Sequence, residues 1–260
     1  MNRKLAIEDA ESPLPERQVN MANQLIRAAQ GLKLNEKRLI SCAIAKCDSV
    51  TRRRLTEAVT LGPDGHAAGW TVRLAVRDFI ESFPSLNEKS AYADLEQAAR
   101  SIYERSIRVQ VETRRGPKLR EYRWTSENQY HYGEGWVEIH FTGQVAPFLL
   151  GIEGEFTKYK LKHAADLRSV YSWRLLEMFA QYRNTGLVRI GFDDFCHAME
   201  APPSCVKDFA QLRRRIIEPA VAELTGKDGL QIEWKAVKQG GRKVTGLEFK
   251  FEPNPQLFLL

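Results

Sequence analysis

Cysteine is scarce in this chain. Its 260 residues hold four, Cys42, Cys47, Cys196 and Cys205. Cys42 and Cys47 lie five apart within a helical pattern and no histidine pair accompanies them, which excludes a structural zinc site and a disulfide scaffold. The four read instead as small buried hydrophobes of a reducing cytosol. Histidine is nearly as rare. His131 and His140 are nine apart, and His66, His163 and His197 are isolated, so no His-hydrophobic-His cluster exists to hold a metal beside a nucleophilic tyrosine. No Gly-rich Lys-Ser/Thr loop is present to cradle a nucleotide. The carboxylates are scattered rather than clustered, which is wrong for a two-metal nuclease. No catalytic residue, metal or cofactor is therefore expected, and the chain is read as a non-enzyme. No apolar run approaches the roughly 20 residues that span a bilayer, and Met1–Asn20 is charged and broken by Pro13 and Pro15, unlike a signal peptide. A soluble, cytoplasmic protein with no membrane partner is expected.

What is present suits a globular protein with a polyanionic partner. Apolar residues make up 43%, and the net charge is +6 with a pI near 9.1. The excess is shared: 22 Lys and Arg against 19 Asp and Glu up to residue 150, and 17 against 14 beyond it. Both halves are candidates for touching phosphate.

The chain divides by pattern. Residues 1–17 have no period and read as a flexible arm. In the first domain, 18–142, Asn35 looks like the cap of a helix whose buried stripe is Leu39, Ala43 and Ile44. Arg52–Arg54 reads as a solvated loop cluster. Then come a strand at Trp70–Leu74, a short helix at Val76–Phe83, a break at Pro84-Ser85 and a helix at Glu88–Tyr103. Strands follow at Ile107–Glu112, Leu119–Thr125 and Trp136–Phe141. Trp124, Tyr122 and Tyr130 sit at strand spacing, which suits core better than a base-stacking row. The seam falls in the glycine-rich stretch Thr142–Gly154, with 143–155 as linker and 156–260 as the second domain.

In that second domain apolar residues recur at helical spacing (Val170, Trp173, Leu176, Met178, Phe179). A strand, Leu187–Ile190, and an amphipathic segment (Phe192, Phe195, Cys196, Met199) follow. After the break at Pro202-Pro203-Ser204 comes a long helix with Phe209, Leu212, Ile216, Ala220 and Leu224 on one side. Its other side presents Lys207, Gln211, Arg214, Arg215 and Glu218, with Arg213 beside them. Three successive residues on an α-helix fan over about 200°, so not all three arginines can share one groove. Pro219 should kink the helix or start a new segment. Two alternating strands joined by Lys238-Gln-Gly-Gly-Arg-Lys243 complete the unit, and Gly240-Gly241 suits a hairpin turn. A helix, a break, a second helix with a basic face and a basic-tipped hairpin make a winged helix.

The order of elements is the same in both halves. Thr71–Phe79, TVRLAVRDF, and Leu187–Phe195, LVRIGFDDF, align at a shift of 116, with Val72, Arg73, Asp78 and Phe79 matching Val188, Arg189, Asp194 and Phe195. Duplication is the natural reading. The fold expected is α+β, two tandem winged-helix domains related by pseudo-repeat.

Arg213, Arg214 and Arg215, with Lys207 and Gln211, are the candidate base readers, because an arginine fork matches the O6 and N7 acceptors of guanine in the major groove. Lys238, Arg242 and Lys243 on the wing suit phosphate or a minor groove. The analogous residues of the first domain are Lys89 and Arg100 on its second helix, and Arg114, Arg115, Lys118 and Arg120 on a hairpin.

The segments FTKYKLKHA (156–164), YSWRLLEMFAQYR (171–183) and LRRRIIEPAVAEL (212–224), followed by the basic hairpin, resemble the C-terminal half of iteron-binding plasmid replication initiators. Gln18–Ile26 resembles the opening motif of that family. The resemblance implies DNA-binding monomers on direct repeats at an origin, and homodimers, formed through the first domain, on an inverted-repeat operator of their own gene. It also implies contact with a host replication initiator and the replicative helicase. Two other classes stand beside it: a dimeric winged-helix transcriptional repressor with no replication role, and a strand-nicking enzyme.

Overall fold

The computed structural model describes residues 12–46, 70–149, 156–241 and 243–252. Cys47, His66 and Arg52–Arg54 therefore lie outside the described residues. The chain packs as two units, Met1–Leu25 with Gln30–Asp166, and Ile26–Ala29 with Leu167–Leu260.

The first unit opens with β1 (Gln18–Ala22) and α1 (Leu34–Lys46). Lys33 donates its backbone N–H to Glu36 Oε2 at 2.7 Å, half of a capping box. Asn35, the cap suggested by the sequence, is already inside the helix, where its Oδ1 accepts from Arg38 Nη1 at 3.0 Å. Leu39, Ala43 and Ile44 are buried, but so are Glu36, Lys37 and Arg38, so α1 is enclosed on all sides rather than along one stripe. β2 (Trp70–Ala75) runs into α2 (Val76–Ser82), and a break at Pro84 leads to α3 (Ala91–Tyr103). β3 (Ser106–Thr113) and β4 (Gly116–Arg123) form a hairpin that, among the described residues, pairs only with itself. β5 (Thr125–His131) and β6 (Trp136–Phe141) complete an antiparallel sheet of order β2-β6-β5. Val137, Ile139 and Phe141 alternate inward from β6, and Leu95, Ala98, Ala99 and Ile102 of α3 are buried with them.

β7 (Phe156–Lys160) pairs antiparallel with β1, Val19 opposite Tyr159. This moves the seam. A strand's backbone groups need a partner when buried, and those of 156–160 find it in the first unit, so the division falls at Asp166/Leu167 rather than within 143–155. Part of the proposed arm is packed as well. Leu14 is buried, and Glu16 pairs with Lys162 at 2.9 Å and with Lys160 at 3.4 Å.

The second unit begins with α4 (Val170–Gln181), capped by Ser169, whose Oγ accepts from Tyr171 N–H at 3.1 Å. β8 (Leu187–Gly191) feeds α5 (Phe192–Met199), which ends where Glu200 turns left-handed at φ 50°. The guanidinium of buried Arg174 on α4 donates to Ala198 O near that end, at 2.7 and 3.0 Å, and to Ala28 O at 2.6 Å. α6 (Pro203–Lys207) starts with proline at its first position, where no N–H is needed. Asp208, extended at φ −132° and ψ 106°, then breaks the chain and caps the next helix, its Oδ1 accepting from Ala210 N–H at 2.8 Å. That helix, α7, comprises Phe209–Leu212, a π turn at Arg213–Ile217, and Glu218–Asp228. β9 (Gln231–Lys238) and β10 (Val244–Glu252) form the hairpin, in a sheet of order β8-β10-β9.

Each unit is thus a winged helix, and the internal repeat is physical. Arg73 and Glu138 face each other across β2 and β6 with Nε to Oε2 3.1 Å, and Arg189 and Glu248 do so across β8 and β10 at 2.8 Å. Phe79 and Phe195, each the fourth residue of the helix that follows β2 and β8 respectively, are both buried. A second stretch shares the repeat: Val137–Phe141, VEIHF, and Leu247–Phe251, LEFKF, occupy equivalent strands β6 and β10.

Candidate nucleic-acid interface

In the second unit, a row of aromatic rings sets the start of α7 against the sheet. Phe192 lies 6.4 Å from Phe209, Phe209 6.5 Å from Trp234 on β9, and Trp234 6.3 Å from Phe249 on β10. Phe195 and Phe179 close on Phe249 at 5.8 and 5.7 Å. Helix and hairpin are one packed piece. Leu212, Ile216, Ala220 and Leu224 are buried as their spacing predicts, and Ile217 joins them.

Arg213, Arg214 and Arg215 are all exposed. All three lie in the π turn of α7. Arg213 Nε donates to Glu218 Oε1 at 2.7 Å, and Arg214 Nη2 to Gln211 Oε1 at 3.2 Å. The Arg215 side chain has no partner among the described residues. Lys207 is exposed too, but it stands on α6 rather than on the long helix, because Asp208 intervenes.

At the hairpin tip, Lys238 ends β9 and Lys243 precedes β10, both exposed. Gly240 sits at φ 64° with open space around it, a conformation that a side chain would strain. Arg242 lies outside the described residues. Lower on the sheet the cations are committed. Lys235 Nζ and Arg189 Nε each reach Glu248 at 2.8 Å, and these bonds, the Lys235 one foremost, hold the Glu248 carboxyl down to about 2. The tip lysines have no such partner among the described residues.

The first unit is arranged differently from what its letters suggest. Lys89 is exposed in the turn before α3, not on the helix. Arg100 is on α3 but engaged: it donates to Glu96 at 2.8 Å and to the Tyr132 hydroxyl at 2.9 Å, and lies 4.7 Å over the Tyr130 ring. It clasps α3 to the β5–β6 hairpin. Arg114, Arg115 and Lys118 are exposed at the end of β3–β4, and Arg120 stacks on Tyr122 at 5.0 Å. By sheet order the equivalent of the β9–β10 wing is β5–β6, whose tip is His131–Trp136, so the arginine hairpin is an insertion between α3 and the sheet. The VEIHF/LEFKF match is the signal that would have located the true wing. Tyr130 is half-buried and Trp124 is core.

Among the described residues, no group of His, Cys, Asp or Glu is placed to hold a metal ion, and no helix is long and apolar enough to cross a membrane.

Residues 18–180 match the family described as "Initiator Replication protein, WH1", and residues 191–251 match "Initiator Rep protein, WH2". A probable replication protein of Bifidobacterium longum is 29% identical over 115 residues, 44% of this chain and 38% of that protein. An uncharacterized 27.6 kDa protein of Escherichia coli is 24% identical over 85% of this chain and 90% of its own length. The chain thus spans under two fifths of the first relative and nearly all of the second. The crystal structure of Pi initiator protein in complex with iteron DNA superposes with a TM-score of 0.72 at 18% identity, over 91% of this chain and 97% of that one.

Proposed function

Because the chain belongs to the initiator replication protein family, carrying both winged-helix modules in order, we propose that it binds repeated duplex sites at a replication origin and starts replication without catalysis of its own. α7 enters the major groove and reads bases through Gln211, Arg214 and Arg215, with Arg213 and Lys207 at its borders. Lys238, Arg242 and Lys243 hold the backbone, and Arg114, Arg115, Lys118 and Lys89 of the first unit add phosphate contacts. One observation carries the reading: three adjacent exposed arginines on the helix after the break, Arg215 without a partner among the described residues, beside a lysine-tipped hairpin. Monomers on the repeats nucleate origin opening and helicase loading with the host initiator. Homodimers occupy an inverted repeat and repress the gene.

The two jobs separate by mutation. Arg215→Ala should cost about 1–3 kcal/mol on the cognate duplex and flatten discrimination at one base position. Lys243→Ala should weaken cognate and scrambled duplex alike and lower the slope of log K against log salt by about one. Binding of each variant to both duplexes over a salt series decides. If neither changes binding, this surface is not the DNA face. If the protein binds but a plasmid bearing its gene and flanking repeats is not maintained, the repressor reading replaces the initiator.

A further inference from the structure

α7 does not keep one register. It is α-helical to Leu212, a π turn from Arg213 to Ile217, and α-helical again from Glu218. A π turn is rare and has to be held in place. Pro219 holds this one. Proline has no N–H for the carbonyl four residues back, here Arg215 O, and its ring crowds that carbonyl. Glu218 N–H accordingly reaches five residues back, to Arg213 O. The Glu218 side chain closes the turn from outside by accepting from Arg213 Nε at 2.7 Å.

The register decides which side chains face out. Leu212, Ile216, Ala220 and Leu224 are buried at steps of four. In an unbroken α-helix, at roughly 100° per residue, such a stripe drifts by roughly 40° a step and sweeps roughly 120°. Arg213, roughly 100° from Leu212, would then stand inside the buried stripe. It is exposed, and Ile217 is buried beside Ile216. One extra residue taken up in the turn produces both.

We propose that Pro219, which offers no base a hydrogen bond, is a positioning residue for sequence specificity: by holding the π turn it brings Arg213, Arg214 and Arg215 out together and fixes the angle at which Arg214 and Arg215 meet base edges. The proposal rests on the base-reading role of α7.

The test compares Pro219→Ala and Pro219→Ser with Arg214→Ala and Arg215→Ala. Pro219 is exposed and alanine favours a helix, so the Pro219 variants should fold with an unchanged or higher thermal midpoint. Hydrogen exchange should show the new amide at position 219 protected, bonded in the α register. Their preference for the repeat over scrambled duplex should fall at least tenfold, with the salt slope unchanged. If both Pro219 variants keep the preference while Arg214→Ala loses it, the register role is overturned and base reading stands. An equal loss on both duplexes overturns it as well. If Arg214→Ala and Arg215→Ala both keep the preference, base reading fails and takes the register role with it. Glu218→Gln supplies a second variant with Pro219 in place: it removes the carboxylate charge beside Arg213 and should tighten both duplexes with the preference intact. Loss of the preference in that variant would assign the register to the ion pair, against the proposal.

Discussion

Glu248 accepts from one cation on each neighbouring strand, Lys235 on β9 and Arg189 on β8. Its folded value, about 2, lies below the roughly 4.3 of a free glutamate. The sign follows: its contribution is fully present above the unfolded value and is lost as pH falls from about 4 towards 2. Denaturation of the full chain and of Glu248→Gln from pH 6 down to pH 2 should show a stability gap at pH 6 that has largely closed at pH 2. A gap independent of pH would mean the carboxylate charge is not what joins the three strands. At this scale the chemistry was legible and the pairing was not. Arg73 and Arg189 stood out as repeated letters, but their partners are over 50 residues away, and no local pattern names a cross-strand neighbour.

Elements were legible where one period dominates and illegible where it is broken. α5 and β6 follow their apolar alternation, and Pro219 does begin a new segment of α7. The π turn was not foreseen, because proline predicts a disturbance without saying which one. β5 carries no strand signal in the letters, since Thr125–His131 is polar on both sides of its alternation. Tip charge makes the arginine hairpin resemble a wing in the letters, whereas strand order gives that place to β5–β6. As an insertion, β3–β4 carries Arg114 and Arg115 in the turn of a two-stranded hairpin that no other strand supports among the described residues. Phosphate contact there predicts that Arg114→Ala with Arg115→Ala lowers the salt slope by about two and leaves the ratio of cognate to scrambled affinity unchanged. A changed ratio would show the hairpin reading bases.

The molecule as a whole is a duplication whose halves kept their scaffold and changed their surfaces. The second half also depends on residues far from it in sequence. Ile26–Ala29 packs with Leu167–Leu260, and Ala28 O accepts from buried Arg174. A polypeptide of Leu167–Leu260 alone leaves that guanidinium one acceptor short, which should cost about 1–3 kcal/mol. Its thermal midpoint should lie below that of the second unit in the intact chain and recover when Ile26–Ala29 is tethered back. Equal midpoints would show that the tetrapeptide is a passenger. Such dependence was invisible in the letters, because a boundary drawn from glycine content assumes that each domain is contiguous.

The aromatic row from Phe192 to Phe249 has a practical consequence. It anchors α7 from behind, and none of Lys207, Gln211, Arg214 and Arg215 is buried. If α7 reads bases as proposed, those four positions are open to rewriting: a library varied there and selected on foreign repeats should yield proteins with a new address and an unaltered scaffold, from which compatible replicons, each answering only to its own initiator, can be built to share one cell.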